Sequence, residues 1–378
     1  MNLKPKVRIL TSSHKANDDR IFHKQAKSIA GAGYDTAIIA PHRADEILDG
    51  IRIKAIKKVS GKLGKAILTP LNVLAAAVKE KADVYHFHDP ELIPVGIVLR
   101  FLGSKVIYDS HEYYKLKIMS RKRIPAGFRQ IIALIYDFLE TLAGRTFSGI
   151  ITTDRVTEEK FKGMAVTVSN PPYKGSISAR PKKTSSIFKC VYIGGLEEDR
   201  GLFKMVEAME LVSDQVRLVL AGPMSEEDHS RMKRFKGYSK VDYLGFIPWE
   251  KVLELLPGCD AGLILIQPVP GYLYHGENSI KLFEYMMAGL PVLGSNFVNL
   301  EKIIMENECG LTVDPTSPAR IAEKIMYLAN NPELCRKMGA NGVKAVMEKY
   351  NWEKEGEKLL ALYDRILNPA VHKRCCHA

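Results

Sequence analysis

A chain of 378 residues is too long for one ordinary hydrophobic core and suits two domains of α/β size. Its content of 46% hydrophobic and 26% charged residues excludes a disordered chain, and no run approaches the roughly 20 apolar residues of a membrane-spanning helix. The net charge of +12 points to anionic partners, while six cysteines without a Cys-x-x-Cys pair argue against a zinc ribbon or a thioredoxin-like redox site.

The opening residues lead into a short apolar strand at Val7–Leu10 and lack the apolar run of a signal peptide, so free thiols in a reducing cytoplasm are expected. Asp18 opens a helix to about Ala32, Gly33 ends it, and Thr36–Ala40 is the next strand. Val84–Phe87, Val106–Asp109 and Gly149–Thr153 repeat the strand pattern with helical segments between. Strands separated by helices imply a parallel sheet covered on both faces, with ligands at the carboxyl ends of the strands. Candidate ligand-facing residues are therefore His14, Asp109, His111 and Glu112, which the resemblance described below would place on the acceptor side. The segment His86-Phe87-His88-Asp89-Pro90-Glu91 also ends a strand, with His86 and His88 on one side of it. A core histidine bonded to backbone explains His86 better than His88. A hydrogen-bonded turn explains Asp109, His111 and Glu112 nearly as well as a ligand does.

Two basic runs stand out in this half. Gly50 to Lys79 holds seven Lys or Arg and no acid, and Tyr113 to Tyr136 holds six and no acid. The cations are mixed with large aliphatics rather than with aromatics for base stacking, which favours an anionic membrane surface over nucleic acid. Ile118, Phe128 or Leu68 would insert shallowly, and Arg121, Lys122 and Arg123 would supply attraction. Two solvated helix faces over an ordinary core fit almost as well.

After Pro171-Pro172 comes a polar stretch without periodicity, which is linker chemistry. Alternation then resumes with strands at Lys189–Ile193, Val216–Ala221, Val241–Leu244, Ala261–Ile266, Val292–Ser295 and Gly310–Val313, and helices near Leu202–Val212 and Glu353–Leu367. Gly194-Gly195 opens a loop that ends Arg200-Gly201, where glycine admits a phosphate to the backbone and a guanidinium grips two of its oxygens. Gly222 and the pair Gly245-Phe246 follow the next strands. Between Asn278 and Pro291, Ile280, Phe283, Met287 and Leu290 recur at helical spacing, Asn278 or Ser279 sits where an N-cap belongs, and Gly289 with Pro291 stops the helix. Such a helix start offers N–H groups and a positive dipole end to an anion. Lys281 adds a charge one turn in, and Glu284 suits a ribose diol.

The run Lys281-Leu-Phe-Glu-Tyr-Met-x-x-Gly-x-Pro291 resembles the donor-site helix of family 4 retaining glycosyltransferases. The resemblance implies the GT-B fold: two Rossmann-like doubly wound parallel-sheet domains facing a cleft. It assigns residues 1–172 to an acceptor-binding domain, 173–187 to a linker, 188–352 to a nucleotide-sugar-binding domain and 353–378 to a helix and tail returning to the first domain. By resemblance His88 contacts the transferred sugar, Arg200 and Lys281 hold the diphosphate, and Glu284 holds the ribose. Gly194, Gly195, Gly222, Gly245, Phe246, Glu277, Asn278, Ser279 and Ile280 line the donor. The family's two glutamates lie eight positions apart; here the first position is Gly276, and Glu277 is the nearest acid.

No cofactor is expected, and no metal, because no Asp-x-Asp pair occurs to hold a divalent ion. The donor is a nucleotide-diphosphate sugar, UDP- favoured over GDP-linked. The implied activity is retaining hexosyl or N-acetylhexosaminyl transfer to a glycan or lipid-linked acceptor in surface polysaccharide or glycolipid synthesis. It would take place in the cytoplasm, at the inner face of the plasma membrane if the basic surface docks there. Same-face attack, with the donor's phosphate oxygen accepting the acceptor's proton, would explain retention. The alternatives are a non-catalytic nucleotide-sugar-binding partner subunit and a nucleotide-sugar epimerase of the same architecture.

Overall fold

The computed structural model describes residues 4–369 apart from 58, 60, 111–112, 121–123, 162, 179–185, 274–275 and 277–278. The chain divides into two compact units, one of Met1–Ser169 with Lys354–Ala378 and one of Asn170–Glu353.

The sheet of the first unit holds β1 (Lys6–Leu10), β2 (Asp35–Pro41), β3 (Glu46–Leu48), β4 (Ile51–Ile56), β5 (Val84–Phe87), β6 (Lys105–Ser110), β7 (Gly149–Thr152) and β8 (Ala165–Thr167). Their order is β3-β4-β2-β1-β5-β6-β7-β8, all pairs parallel except the β3–β4 edge hairpin. β1 and β5 meet in register from Val7↔Val84 to Leu10↔Phe87, and there the strand order reverses. Ligand-binding crevices open at such switch points. Helices α1 (Lys27–Gly31), α2 (Lys62–Glu80), α3 (Ile93–Phe101), α4 (Tyr114–Ser120), α5 (Ala126–Thr146) and α6 (Arg155–Lys160) connect the strands. The helix expected from Asp18 to Ala32 begins as a π-helical segment, Asp19–Ala26, which α1 continues. Asp18 caps it by accepting from the amides of Arg20 and Ile21. Leu10, Ile39, Tyr85, Phe87, Val106 and Tyr108 pack in one apolar core on this sheet.

The second unit is built from β9 (Phe188–Ile193), α7 (Leu202–Met209), β10 (Val216–Ala221), α8 (Glu226–Met232), β11 (Val241–Tyr243), α9 (Trp249–Leu255) and β12 (Ala261–Ile264). It continues with α10 (Ile280–Met287), β13 (Val292–Ser295), α11 (Val298–Glu306), β14 (Gly310–Val313), α12 (Pro318–Ala329) and α13 (Pro332–Glu348). The strand order β11-β10-β9-β12-β13-β14 is wholly parallel and reverses between β9 and β12. This is the dinucleotide-binding order 3-2-1-4-5-6. Strand alternation divides the side chains between two cores: Cys190, Tyr192, Leu218 and Leu220 on one face, Val191 and Val219 on the other.

Residues 173–187, expected as a linker, include Ile177, which is buried in the core of the second unit. Ser176 Oγ also lies 3.4 Å from Met287 Sδ. The last helix, α14 (Trp352–Leu367), starts in the second unit and belongs to the first from Lys354 onward. There Leu362 and Ile366 press so closely on Gly149 that a Cβ at this glycine would lie 2.9 Å from Ile366 Cδ1. No helix among the described residues is long and apolar enough to cross a membrane.

Candidate functional site

The switch point of the second unit brings together the residues after β9 and the start of α10. The N–H of Ile193, the last residue of β9, donates to the Tyr285 hydroxyl at 2.9 Å, which ties α10 to the strand end. One turn earlier on the same face, Lys281 lies against the Gly194 turn. A Cβ on Gly194 would sit 3.1 Å from Lys281 Nζ. Gly222 closes the turn from the other side. Its φ of +147° is open only to glycine, and a Cβ there would meet the Gly194 carbonyl oxygen at 1.9 Å.

Arg200 enters the same space from a 3₁₀ turn, Glu198–Arg200. Gly201 fixes this turn against the end of β12: its φ is +84°, and a Cβ would fall 2.0 Å from the Leu265 carbonyl oxygen. The guanidinium lies 5.6 Å from the centroid of the Tyr272 ring and close to the Tyr192 hydroxyl, with its Nε buried and without a hydrogen-bond partner among the described residues. Lys281 Nζ is 3.4 Å from the same Tyr192 hydroxyl and 4.8 Å from its ring centroid. That hydroxyl in turn donates to the Gly195 carbonyl at 3.0 Å. Two cations thus converge on one phenol, and neither makes an ion pair among the described residues. Burial first, and then the Arg200 charge, push Lys281 from 10.5 down to about 7, with Glu284 opposing. An anion between these cations would relieve that repulsion.

The start of α10 differs from expectation. Ser279 occupies the N-cap position but makes no capping bond, and its Oγ is buried without a partner among the described residues. A polar atom orphaned at a helix start marks a place for a ligand. Ile280, expected in the buried stripe, is 39% exposed, whereas Phe283, Met287 and Leu290 are buried as expected. The stripe is narrower because the helix begins at Ile280, whose side chain leans outward at the free end. Glu284 is buried on the face of Lys281. Glu277 and Asn278 lie outside the described residues. The Gly245 carbonyl accepts from the Gly222 N–H at 2.8 Å, and Phe246 beside it is largely exposed. A Cβ at Gly276 would lie 2.6 Å from Asn299 Cβ and 3.0 Å from its carbonyl carbon, so a glutamate side chain there would need Asn299 to move.

In the first unit the β1–β5 switch point carries a second polar cluster. Buried Asp89 accepts from the Thr11 hydroxyl and the Ser12 N–H, both at 2.7 Å, from the Ser13 hydroxyl, and from His14 Nδ1 at 2.9 Å. Burial works against ionisation of Asp89, but the His14 contact and the two hydroxyls outweigh it and hold the carboxyl far below its ordinary range. The Asp89 hydrogen bond raises His14, which stays about one-third exposed. His14 is thus a surface imidazole oriented by a buried carboxylate.

His88, expected to contact the transferred sugar, and Asp109, expected on the acceptor side, both lie inside the unit. Both are fully buried. Asp109 takes Arg20 Nε and Nη2 at 3.0 and 3.1 Å and Gln25 Nε2 at 2.5 Å, so its oxygens are engaged inside the unit. The His88 ring stacks on His86 at 4.8 Å between centroids, and His86 Nδ1 lies 2.9 Å from the Tyr363 hydroxyl of α14. His86, His88 and Asp109 hold donor atoms within 4.8 Å of one another, the spacing of a cation site. The Arg20 guanidinium already on Asp109 supplies the positive charge there. His111 and Glu112 lie outside the described residues. Sequence reasoning missed Tyr192, Tyr272, Arg20 and the Thr11–Ser13 hydroxyls. The hydroxyl run directly after β1 was the available signal; the others act through partners far away in the chain.

These two sheets have the GT-B fold. Residues 176–345 match the family described as Glycosyl transferases group 1, and this part of the chain is such a domain. Over 360 residues the chain is 21% identical to a phosphatidyl-myo-inositol mannosyltransferase of Mycobacterium leprae, covering 90% of this chain and 91% of the relative. Among solved structures, sucrose-phosphate synthase from Thermosynechococcus elongatus superimposes with a TM-score of 0.79 at 16% identity, over 96% of this chain and 99% of that one. Anabaena HepE in complex with UDP and glucose gives 0.72 at 14% identity, over 95% and 99%. The chain spans about half the length of two other curated relatives, 47% and 52% of uncharacterized glycosyltransferases of Methanocaldococcus jannaschii.

Proposed function

We propose that the chain is a retaining, metal-independent glycosyltransferase that moves a hexosyl or N-acetylhexosaminyl group from a nucleotide-diphosphate sugar to a glycan or lipid-linked acceptor. The observation that carries the reading is the convergence of Arg200 and Lys281 on Tyr192 at the β9–β12 switch point. A diphosphate fits this place: two cations, a helix start and the Gly194 turn all favour anionic oxygens. As the glycosidic bond to the diphosphate breaks, charge grows on the leaving oxygen, and the same cations stabilise it without a metal. The acceptor hydroxyl then forms the new bond from the same face while a diphosphate oxygen takes its proton. A UDP-sugar is the preferred donor; the HepE complex with UDP supports a uridine nucleotide on this fold.

Transfer of radiolabelled sugar from a panel of nucleotide sugars to lipid and glycan acceptors, in the presence of excess EDTA, tests the reading. Activity that EDTA abolishes and manganese restores would exclude the metal-independent mechanism. An anomeric product of inverted configuration would exclude retention. Glu284→Ala should weaken nucleotide binding by about 1–3 kcal/mol, the cost of leaving a ribose diol without its acceptor. Unchanged calorimetric affinity in a folded variant would remove Glu284 from the site.

The depressed Lys281 predicts a pH dependence. Only its protonated form attracts the diphosphate, so donor affinity is full below pH 7 and falls by up to tenfold per unit above it. A nucleotide sugar is the right probe, because its diphosphate has no terminal phosphate titrating in that range. Affinity that is flat from pH 6 to 9 would show that Lys281 stays charged without the ligand.

A further inference from the structure

Tyr192, the penultimate residue of β9, is buried in the core on one face of the second sheet. Its hydroxyl reaches the turn after the strand and donates to the Gly195 carbonyl at 3.0 Å. That bond uses the single proton of the phenol and leaves two lone pairs on its oxygen. Lys281 Nζ lies 3.4 Å from this oxygen and 4.8 Å from the ring centroid. The Arg200 guanidinium lies close to the same oxygen, and a Cβ on Gly195 would fall 3.7 Å from its Nε. One carbonyl and two cations thus match the hydrogen-bonding capacity of one phenol.

The type of side chain has a physical reason. Two like charges brought together repel, and burial adds to that cost. A carboxylate between them would remove the repulsion, but it would also neutralise the charge that an incoming anion needs. A phenol offers lone pairs without net charge. Burial, against the opposing charge of Arg200, pushes the Tyr192 hydroxyl up to about 12. It therefore stays protonated near pH 7 and keeps its bond to Gly195.

We propose that Tyr192 is a positioning residue: its hydroxyl, anchored on Gly195, holds Lys281 and Arg200 in place for the diphosphate before the nucleotide sugar arrives. It acts through the two cations and takes no proton from the acceptor. The inference rests on the proposed donor reading, but the hold on Lys281 is measurable in the free protein, without any nucleotide.

Tyr192→Phe removes the hydroxyl and keeps the ring that fills the core. Trace acetylation of the full chain with acetic anhydride across pH, read by peptide mass spectrometry, follows Lys281 in parent and variant. A hydrogen-bond acceptor favours the ammonium, so without the hydroxyl the midpoint of Lys281 reactivity should fall by about half a pH unit or more. A midpoint that stays or rises overturns the proposal. A lowered midpoint in a chain that transfers no sugar supports the hold on Lys281 and removes only the proposed activity. Turnover with the preferred nucleotide sugar is the second readout. Tyr192→Phe should lower it about tenfold, the effect of misplaced cations. In a Lys281→Ala background the same substitution should cost no more than about threefold, since one of the two groups it serves is gone. An equal loss in both backgrounds means that the hydroxyl supports the core instead, and overturns the proposal.

Discussion

Lys281→Ala and Arg200→Ala should each lower turnover by about 10²–10³-fold, the cost of removing a donor aimed at charge that develops in the transition state. The two cations meet at one phenol, 3.4 Å from Lys281 Nζ to the Tyr192 hydroxyl, so the loss of either also changes the field on the other. Their effects should therefore be less than additive in the double variant. Glu284→Ala should act on affinity more than on turnover, because a ribose contact is the same before and during bond breaking. Steady-state kinetics with the preferred nucleotide sugar separates the two patterns. Weakened affinity with kcat unchanged in the Lys281 and Arg200 variants, as in Glu284→Ala, would mean that the cations bind ground and transition state alike.

The same lysine predicts a stability effect of opposite sign. Its folded pKa of about 7 lies well below its unfolded value, so the folded state disfavours the ammonium. The cost is complete below pH 7 and fades as pH rises toward 10.5. Lys281→Met should raise the melting temperature of the free protein at pH 6.5, with little gain at pH 10, while destroying transfer. A site that costs stability to keep two cations together is the expected trade for function. A variant that melts lower at pH 6.5 would show that Lys281 is held by contacts stronger than its repulsion.

Much of this site was legible because it is local. Lys281, Glu284, Gly289 and Pro291 lie on one helix and its stop, and Arg200 follows a strand by a short loop. Short strand-like runs alternating with helical segments likewise marked most strands of the second unit. Illegible features depend on partners distant in sequence. Tyr192 reads as one more strand residue until Lys281 arrives 89 positions later. Asp109 reads as an acceptor ligand until Arg20, also 89 positions away, closes on it. The β4 strand was hidden differently: Ile51-Arg-Ile-Lys-Ala-Ile alternates, but its cations drew attention to charge rather than to periodicity. Ile118 shows the reverse error, an apolar residue in a basic run that packs inward because α4 lies against α5.

Arg20→Ala should cost the first unit about 3–5 kcal/mol, since it leaves a buried carboxylate without its counter-ion. Arg20 joins the π-helical segment to three places at once. It grips Asp109 at the end of β6 with two nitrogens, and it donates to the carbonyls of Val168 at 2.8 Å and Ser169 at 3.2 Å beyond β8. Gln25 alone cannot neutralise the remaining charge, and neighbouring His86 is no substitute. Burial lowers His86 below 6.5 despite the Asp109 contact, so it is neutral at pH 7. A group with a depressed folded pKa takes up protons in the unfolded state first, so His86 subtracts stability as pH falls below its unfolded value. Removing Arg20 takes away a charge that lowers His86 and leaves a buried carboxylate that favours its protonated form, so the loss should be smallest in mild acid. Replacing Asp109 by alanine as well should recover part of the loss, because the charge that Arg20 served is then gone. Because the chain has two units, hydrogen exchange is the appropriate measurement. Protection should fall in β1, β5 and β6 and stay unchanged in β9 and β12. A loss below about 1 kcal/mol, with Asp109→Asn equally well tolerated, would mean that the pair carries little of the fold and would return Asp109 to the acceptor side.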